Sequence, residues 1–309
     1  MKVHAIVNPN SNKFRKGKIK ISDLEVLLKR KYDYKIFITE NPRDSLKKSL
    51  DKSLNQEPNI LVIAGGDGTL HYAVSNLISM EAKIPYLALL PAGTVNAFAR
   101  GFGIKEGIEG LKTNLEKLMV DSAETLCIAI DDKILYGFIS AGGAIAKFLK
   151  YYYEPSTGET SVRKAVSLIL KTLASAALEG NFAKEVISKE KADIILDNKH
   201  YSDKLLAFVA SSINPNIIGL KPFNALGDLK SEEIYCIAAK DMDLKEIISS
   251  LIRGVLGLEI KAKKLFFGKV NYYSSYYQES SKITIDGELY DVKNYIFVNR
   301  GLSLNFIEF

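Results

Sequence analysis

Five residues, Gly65-Gly66-Asp67-Gly68-Thr69, follow the apolar run Ile60–Ala64 and open a segment of helical period. Glycine lets the backbone approach a ligand closely, and the amides that open a helix point at an anion, so this stretch has the chemistry to hold phosphate. The same residues also suit an ordinary turn in which Asp67 or Thr69 caps the helix. A second stretch has the same build: Tyr86–Leu90 runs into Pro91-Ala92-Gly93-Thr94-Val95-Asn96 and then into an expected helix, Ala97–Gly101. Two such turns after neighbouring parallel strands lie side by side at the carboxyl edge of the sheet, where open α/β folds bind ligands. Asn8-Pro9-Asn10-Ser11-Asn12 leaves a third strand end and runs into Lys13, Arg15, Lys16 and Lys18. It reads either as a third wall of that site or as a solvated basic loop. Far along the chain, Asp286-Gly287-Glu288 reads from its residues alone as a hairpin turn between Ile283–Ile285 and Leu289–Val292, although a carboxylate so placed can also accept a hydroxyl proton.

These turns need strands and helices to aim them. In the first third, Val3–Val7, Tyr34–Thr39, Ile60–Ala64 and Tyr86–Leu90 are short runs rich in β-branched residues, and they alternate with Lys18–Lys29, Pro42–Leu54 and Thr69–Ser79. That alternation predicts a mostly parallel sheet covered on both faces. Beyond about Val120 strands follow one another, as in Thr125–Ile130 and Ile134–Ser140 across the turn Asp131-Asp132, and the pattern becomes antiparallel. Helices are expected over Ala144–Tyr153, Val162–Leu178 and Leu244–Gly254, with Glu154-Pro155-Ser156-Thr157-Gly158 joining the first two. Strands are expected over Ala192–Leu196, Leu205–Ser211, Ile234–Ala239, Lys264–Tyr273, Lys282–Asp286, Tyr295–Val298 and Leu302–Phe306. The chain thus reads as α/β: a mostly parallel domain over residues 1–120 and a domain dominated by antiparallel β-sheet over 121–309, whose last strand is free to return to the first. The tyrosines Tyr151–Tyr153, Tyr272, Tyr273, Tyr276 and Tyr277 suit either a half-buried sheet or a lipid contact.

A chain of 309 residues with 47% hydrophobic and 25% charged residues buries a sizeable core and has room for two domains. Its net charge of +6 favours approach to phosphates or an anionic surface without naming a partner. Cys127 and Cys236 stand far apart, and His4, His71 and His200 form no ligand motif, which argues against a protein-held zinc and for a reducing compartment. Val3–Val7 is too brief for a signal-peptide core. Ser167–Leu178, interrupted by Lys171, falls short of the roughly 20 residues that span a bilayer. Neither a Gly-x-x-x-x-Gly-Lys-Ser/Thr loop nor a helix-opening Gly-x-Gly-x-x-Gly occurs.

In order and spacing the motifs resemble the diacylglycerol and sphingosine lipid kinases, bacterial members included, which share a superfamily with the NAD kinases. The resemblance runs over nearly the whole chain and rests on Asn8, Pro9 and Ser11, Thr39, Gly65–Thr69, Pro91, Gly93, Thr94, Asn96, Ala99 and Arg100, and Asp286-Gly287-Glu288. It implies ATP lying between the domains, held by Asn8, Pro9, Asn10, Ser11, Asn12, Thr39, Gly65, Gly66, Asp67, Gly68, Thr69, Gly93, Thr94 and Asn96. Asp67 then orients magnesium (Mg2+) or the nucleotide, and Glu288 stands where the family has its catalytic base. The implied enzyme is a cytoplasmic, peripherally membrane-associated lipid kinase acting on a diacylglycerol-like or long-chain-base lipid, with no nucleic-acid partner. A homodimer is compatible with it. The acyl chain is expected in the interior or at the edge of the antiparallel sheet, near Ala144–Tyr153 and Val162–Leu178.

Two rivals stay open: an NAD kinase-like enzyme, which would share the Gly65–Thr69 turn, and a catalytically impaired lipid- or nucleotide-binding pseudokinase, which departures from the family pattern favour. His71 is followed by Tyr72 where the family has a carboxylate, Asn96 by Ala97, and Ser11 by Asn12. Of the Asp-Asp-Gly element that holds a structural magnesium in bacterial members, Gly227-Asp228-Leu229 retains one candidate ligand, Asp228.

Overall fold

Short, mostly apolar runs form the strands of the first part of the chain. A computed structural model describes residues 1–40, 45–81, 83–154, 161–178, 180–217, 221–243, 246–247, 249–250, 253 and 262–308. The chain divides into two units, Met1–Thr125 with Leu302–Phe309, and Leu126–Gly301.

The first unit runs β1 (Lys2–Val7), α1 (Asn12–Arg15), α2 (Ile21–Lys29), β2 (Asp33–Ile38), α3 (Ser45–Leu54), β3 (Ile60–Gly65), α4 (Asp67–Ser79), β4 (Tyr86–Pro91), α5 (Ala97–Gly101), α6 (Ile108–Lys117) and the start of β5 (Met119–Ile130). Its strands pair in parallel in the order β2-β1-β3-β4, and Phe306 and Ile307 run parallel beside Leu87 and Ala88 of β4. β3 is buried at every residue, as a strand covered on both faces must be. On one face Val3, Ala5, Val7, Val62 and Ala64 pack with Leu24 and Leu28 of α2 and Leu111 and Leu115 of α6. Each of those four leucines is fully or almost fully buried, worth about 1.5–3 kcal/mol apiece. β1 turns His4 to the opposite face, where Nδ1 meets Ser53 Oγ of α3 at 2.9 Å.

The second unit takes up β6 (Lys133–Gly137), β7 (Ile139–Gly143), α7 (Ala144–Tyr153), α8 (Val162–Ala177), α9 (Asn181–Val186), β8 (Glu190–Leu196), β9 (Lys199–Leu205) and β10 (Ala207–Ser211). It continues with β11 (Ile234–Ala239), β12 (Leu265–Val270), β13 (Tyr272–Tyr277), β14 (Ser281–Ile285), β15 (Glu288–Val292) and most of β16 (Tyr295–Glu308). One antiparallel set runs β9-β8-β13-β16 and another β12-β11-β10-β7-β14-β15. A single core joins them: Ile194, Tyr273, Tyr277 and Val298 pack with Phe208, Cys236, Ile283 and Ile285, and the rings of Phe208 and Tyr273 stack 4.3 Å apart. The interior expected to receive an acyl chain is therefore filled by the protein's own side chains.

Several boundaries differ from the sequence reading. Lys264–Tyr273, expected as one strand, breaks at Asn271, because Asp197 Oδ1 accepts the amides of Asn271 (2.8 Å) and Tyr272 (3.2 Å) and sends β12 and β13 to different partners. Conversely, Tyr295–Val298 and Leu302–Phe306 are parts of one strand, β16. Leu205 ends β9, and β10 begins at Ala207. The helix expected over Leu244–Gly254 lies largely outside the described residues, as do most of Glu154–Gly158 and the start of Pro42–Leu54. Among the described residues no helix is long and apolar enough to cross a membrane.

Candidate active site

β1, β3 and β4 are parallel neighbours, so their carboxyl ends open on one edge of the first unit's sheet. Backbone hydrogen bonds lace the loops that leave them: Asn8 N–H to Ala64 O (2.9 Å), Ala92 N–H to Gly65 O (2.7 Å) and Lys13 N–H to Ala92 O (2.9 Å). Side chains add a second set. Asn8 Nδ2 donates to Thr69 Oγ1 (2.9 Å), and Asn12 Nδ2 donates to Thr94 Oγ1 (2.8 Å). Asn8 Oδ1 accepts the Asn10 amide (3.0 Å), closing the turn through Pro9. Asn8, Ser11 and Thr69 are buried, and Asn12 Oδ1 is buried without a donor among the described residues. Thr39 is fully buried, its hydroxyl engaged with Val7 O (3.2 Å), so it ties β2 to the end of β1.

The two glycine turns touch. A methyl on Gly93 would lie 2.6 Å from Gly66 Cα, and one on Gly65 would lie 2.4 Å from Thr69 Cβ. Neither position has room for a Cβ. Asn96 stands in the left-handed region at φ 51°, where Asn is tolerated, and its Oδ1 accepts the Gly93 amide (2.9 Å). α4 begins at Asp67 with Gly66 as its N-cap and no side-chain cap. The amides of its first turn thus lack intrahelical partners, and the helix dipole puts partial positive charge at the same place. Asp67 itself leans toward α5, where Oδ1 accepts the Phe98 amide at 3.4 Å. Beneath the turns, Ile63, Leu70, Leu89 and Ala99 line a cavity of about 20 Å³, room for about one water.

Glu106, which the sequence reading missed, organises the charges here. It pairs with Lys13 and with Arg100 (3.0 Å), and it accepts from Asn96 Nδ2 (3.3 Å). Burial opposes its charge, but the hydrogen bond and charge of Lys13, with Asn96 and Arg100, outweigh that and hold its carboxyl below the ordinary range. Its sequence signal was faint, a single acid six residues beyond Arg100. Tyr72 sits in α4 with its ring 5.2 Å from that of the buried His71.

Glu288 and Asp286 belong to the second unit. Asp286 (φ 49°) and Gly287 (φ 93°) form the two-residue turn between β14 and β15, whose two positive φ angles match the twist of the strands. The Asp286 carboxylate accepts the amides of Phe138 (3.0 Å) and Ile139 (2.9 Å), fixing the turn against β7. Glu288 follows as the first residue of β15, half-buried. The hairpin reading of the sequence is therefore correct, and the same hairpin presents the carboxylate. Asp228 also lies in the second unit, its backbone oxygen taking Lys269 Nζ. Among the described residues no group of three or more His, Cys, Asp or Glu is arranged to hold a metal.

A family model, the diacylglycerol kinase catalytic domain, matches residues 2–128. The chain is 23% identical to a diacylglycerol kinase of Staphylococcus haemolyticus over 92% of its own length and 81% of the relative's. It is 34% identical to a diacylglycerol kinase of Staphylococcus epidermidis over 34% of its own length, a stretch that spans about a third of that relative. A solved diacylglycerol kinase structure from Bacillus anthracis superposes with a TM-score of 0.66 at 16% identity, over 100% of this chain and 97% of that one, which shows a shared fold. The stretch matched by the family model of the diacylglycerol kinase catalytic domain, residues 2–128, takes in the touching glycine turns and the asparagine ties.

Proposed function

We propose that the chain is an ATP-dependent kinase whose acceptor is a lipid hydroxyl, on a diacylglycerol-like lipid or a long-chain base, and that it works at a membrane surface. The observation that carries this reading is the mutual contact of Gly66 and Gly93, which brings two backbone turns and an uncapped helix start to one place. Phosphoryl transfer depends mainly on positioning and charge neutralisation, and such a cradle supplies both. In the reaction the acceptor oxygen bonds to the γ-phosphorus, the bond from that phosphorus to the β-phosphate bridging oxygen breaks, and ADP departs. The hydroxyl proton passes to the Glu288 carboxylate. Asp67 is the carboxylate assigned to orient the nucleotide, whose magnesium arrives with it as part of the substrate.

The membrane part of the reading is supported by α8, which leaves Val166, Ile169 and Leu170 exposed at helical spacing. The exposed cations of α7 and α8 are Lys150, Arg163 and Lys171, and neither helix carries an acidic residue. Exposed aliphatic side chains flanked by cations suit an anionic lipid surface.

The test is transfer of label from ATP to dioleoylglycerol, sphinganine and NAD by wild type and Glu288→Gln. The expected result is label in a lipid, with the variant about 10²- to 10⁴-fold slower. Label in NAD alone would make the chain an NAD kinase-like enzyme. ATP binding without turnover would make it a pseudokinase, and an unimpaired variant would remove Glu288 from the role of base.

A further inference from the structure

The hairpin that carries Glu288 has a second polar group beside it. α7 packs on β14 and β15 and ends in Tyr151-Tyr152-Tyr153. Tyr153 is 43% exposed, and its hydroxyl oxygen lies 3.2 Å from where a methyl on Gly287 would stand. Gly287 is the residue immediately before Glu288, so the phenol reaches over the same turn that aims the carboxylate.

Tyr152 and Lys164 pack at the same end of α7. Tyr152 is buried, with its ring 5.2 Å from that of Tyr153 at 59°. Lys164 of α8 is only 9% exposed, places Nζ 5.5 Å over the Tyr152 ring, and donates to Glu154 O at 3.1 Å. A buried ammonium is costly unless partnered. Here its partners are a carbonyl at the negative end of α7 and an aromatic face, both of which favour a cation. The neighbouring Tyr151 is directed elsewhere, toward Glu185, whose hydrogen bond together with burial pushes its phenol up to about 12. Of the three tyrosines, only Tyr153 is both exposed and next to the Glu288 turn.

Building on the lipid-kinase reading, we propose that Tyr153 is a specificity-determining residue that reads the acceptor head group: its hydroxyl donates a hydrogen bond to an ester carbonyl oxygen of the lipid while Glu288 faces the hydroxyl to be phosphorylated.

The test uses the full chain, as wild type and Tyr153→Phe, with ATP and two lipids in mixed micelles: dioleoylglycerol, and a dialkylglycerol in which ethers replace both esters. Loss of one neutral hydrogen bond corresponds to a roughly fivefold to tenfold rise in KM for dioleoylglycerol. The KM for ATP and the melting temperature stay at wild-type values. On the diether the two proteins perform alike, because the carbonyl is absent. A variant that matches wild type on the ester lipid, or that loses equally on ester and ether, overturns the role given to Tyr153 while leaving the kinase reading in place. A wild-type chain that phosphorylates neither these lipids nor sphinganine overturns the kinase reading and this inference with it.

Discussion

Replacing Gly93 with alanine tests the contact on which the phosphate site rests. The added methyl would sit 2.6 Å from Gly66 Cα and 2.7 Å from Asn96 Oδ1, where ordinary contact begins at 3.4 Å. Neither neighbour can swing aside, since one is backbone and the other is held by the Gly93 amide and, through its Nδ2, by Glu106. The turns must part by most of an ångström. Overpacking of this kind costs about 1–3 kcal/mol, and loss of the Asn96 bond adds about 1 kcal/mol. The sum, about 2–4 kcal/mol, lowers the melting temperature by about 4–16 °C at about 2–4 °C per kcal/mol. Misplacing phosphate donors by about 1 Å also costs on the order of 100-fold in kcat/KM for ATP. The assay is thermal unfolding together with ATP kinetics, and Gly103→Ala is the control. Gly103 has positive φ (79°) but open space around it, so alanine there meets only the left-handed penalty, about 1–2 kcal/mol. If Gly93→Ala melts with wild type and keeps its KM for ATP, the two turns are not a tight cradle and the reasoning fails.

Glu106 has a folded pKa below its ordinary 4.5, so its stabilising contribution is complete above that value and is lost as pH falls through the lowered one; acid titration of unfolding should show this loss in wild type and not in Glu106→Gln. Asp286→Ala removes the acceptor of the Phe138 and Ile139 amides and should cost about 3–6 kcal/mol by denaturant unfolding, hydrogen bonds to a charged group being worth about 1.5–3 kcal/mol each. Leu170→Asp, at a side chain 60% exposed, should leave the melting temperature unchanged while reducing co-sedimentation with anionic vesicles severalfold; undiminished sedimentation would separate α8 from any membrane role.

What the sequence disclosed follows from how local each feature is. β1, β3 and β4 are buried on both faces and so appear as short, mostly apolar runs, and the glycines at 65, 66 and 93 stand where a side chain has no room. The features that escaped are set by distant residues. β9, Lys-His-Tyr-Ser-Asp-Lys-Leu, is a polar edge strand with almost no apolar alternation. The break at Asn271 is imposed by Asp197, and Glu106 acquires its place only when the chain brings Lys13 to Arg100. Tyr153 read as one of several ambiguous tyrosines until folding set it over Gly287. The sheet interior, read with the sheet edge as the two places for an acyl chain, is packed with core side chains.

The route of the chain carries a consequence for synthesis. The outer edge of β4 is covered by Phe306 and Ile307, which emerge from the ribosome only after the whole second unit has been made. Until then the nascent sheet has an open edge, the kind of surface that invites mispairing. Yet the points where the chain leaves and rejoins are adjacent: the Thr125 hydroxyl donates to Leu302 O at 2.9 Å. In topological terms the second unit is an insertion at one spot in a host sheet, and short gaps of this sort tolerate domain insertion. A direct graft of Thr125 to Leu302 would let the host close its edge without waiting.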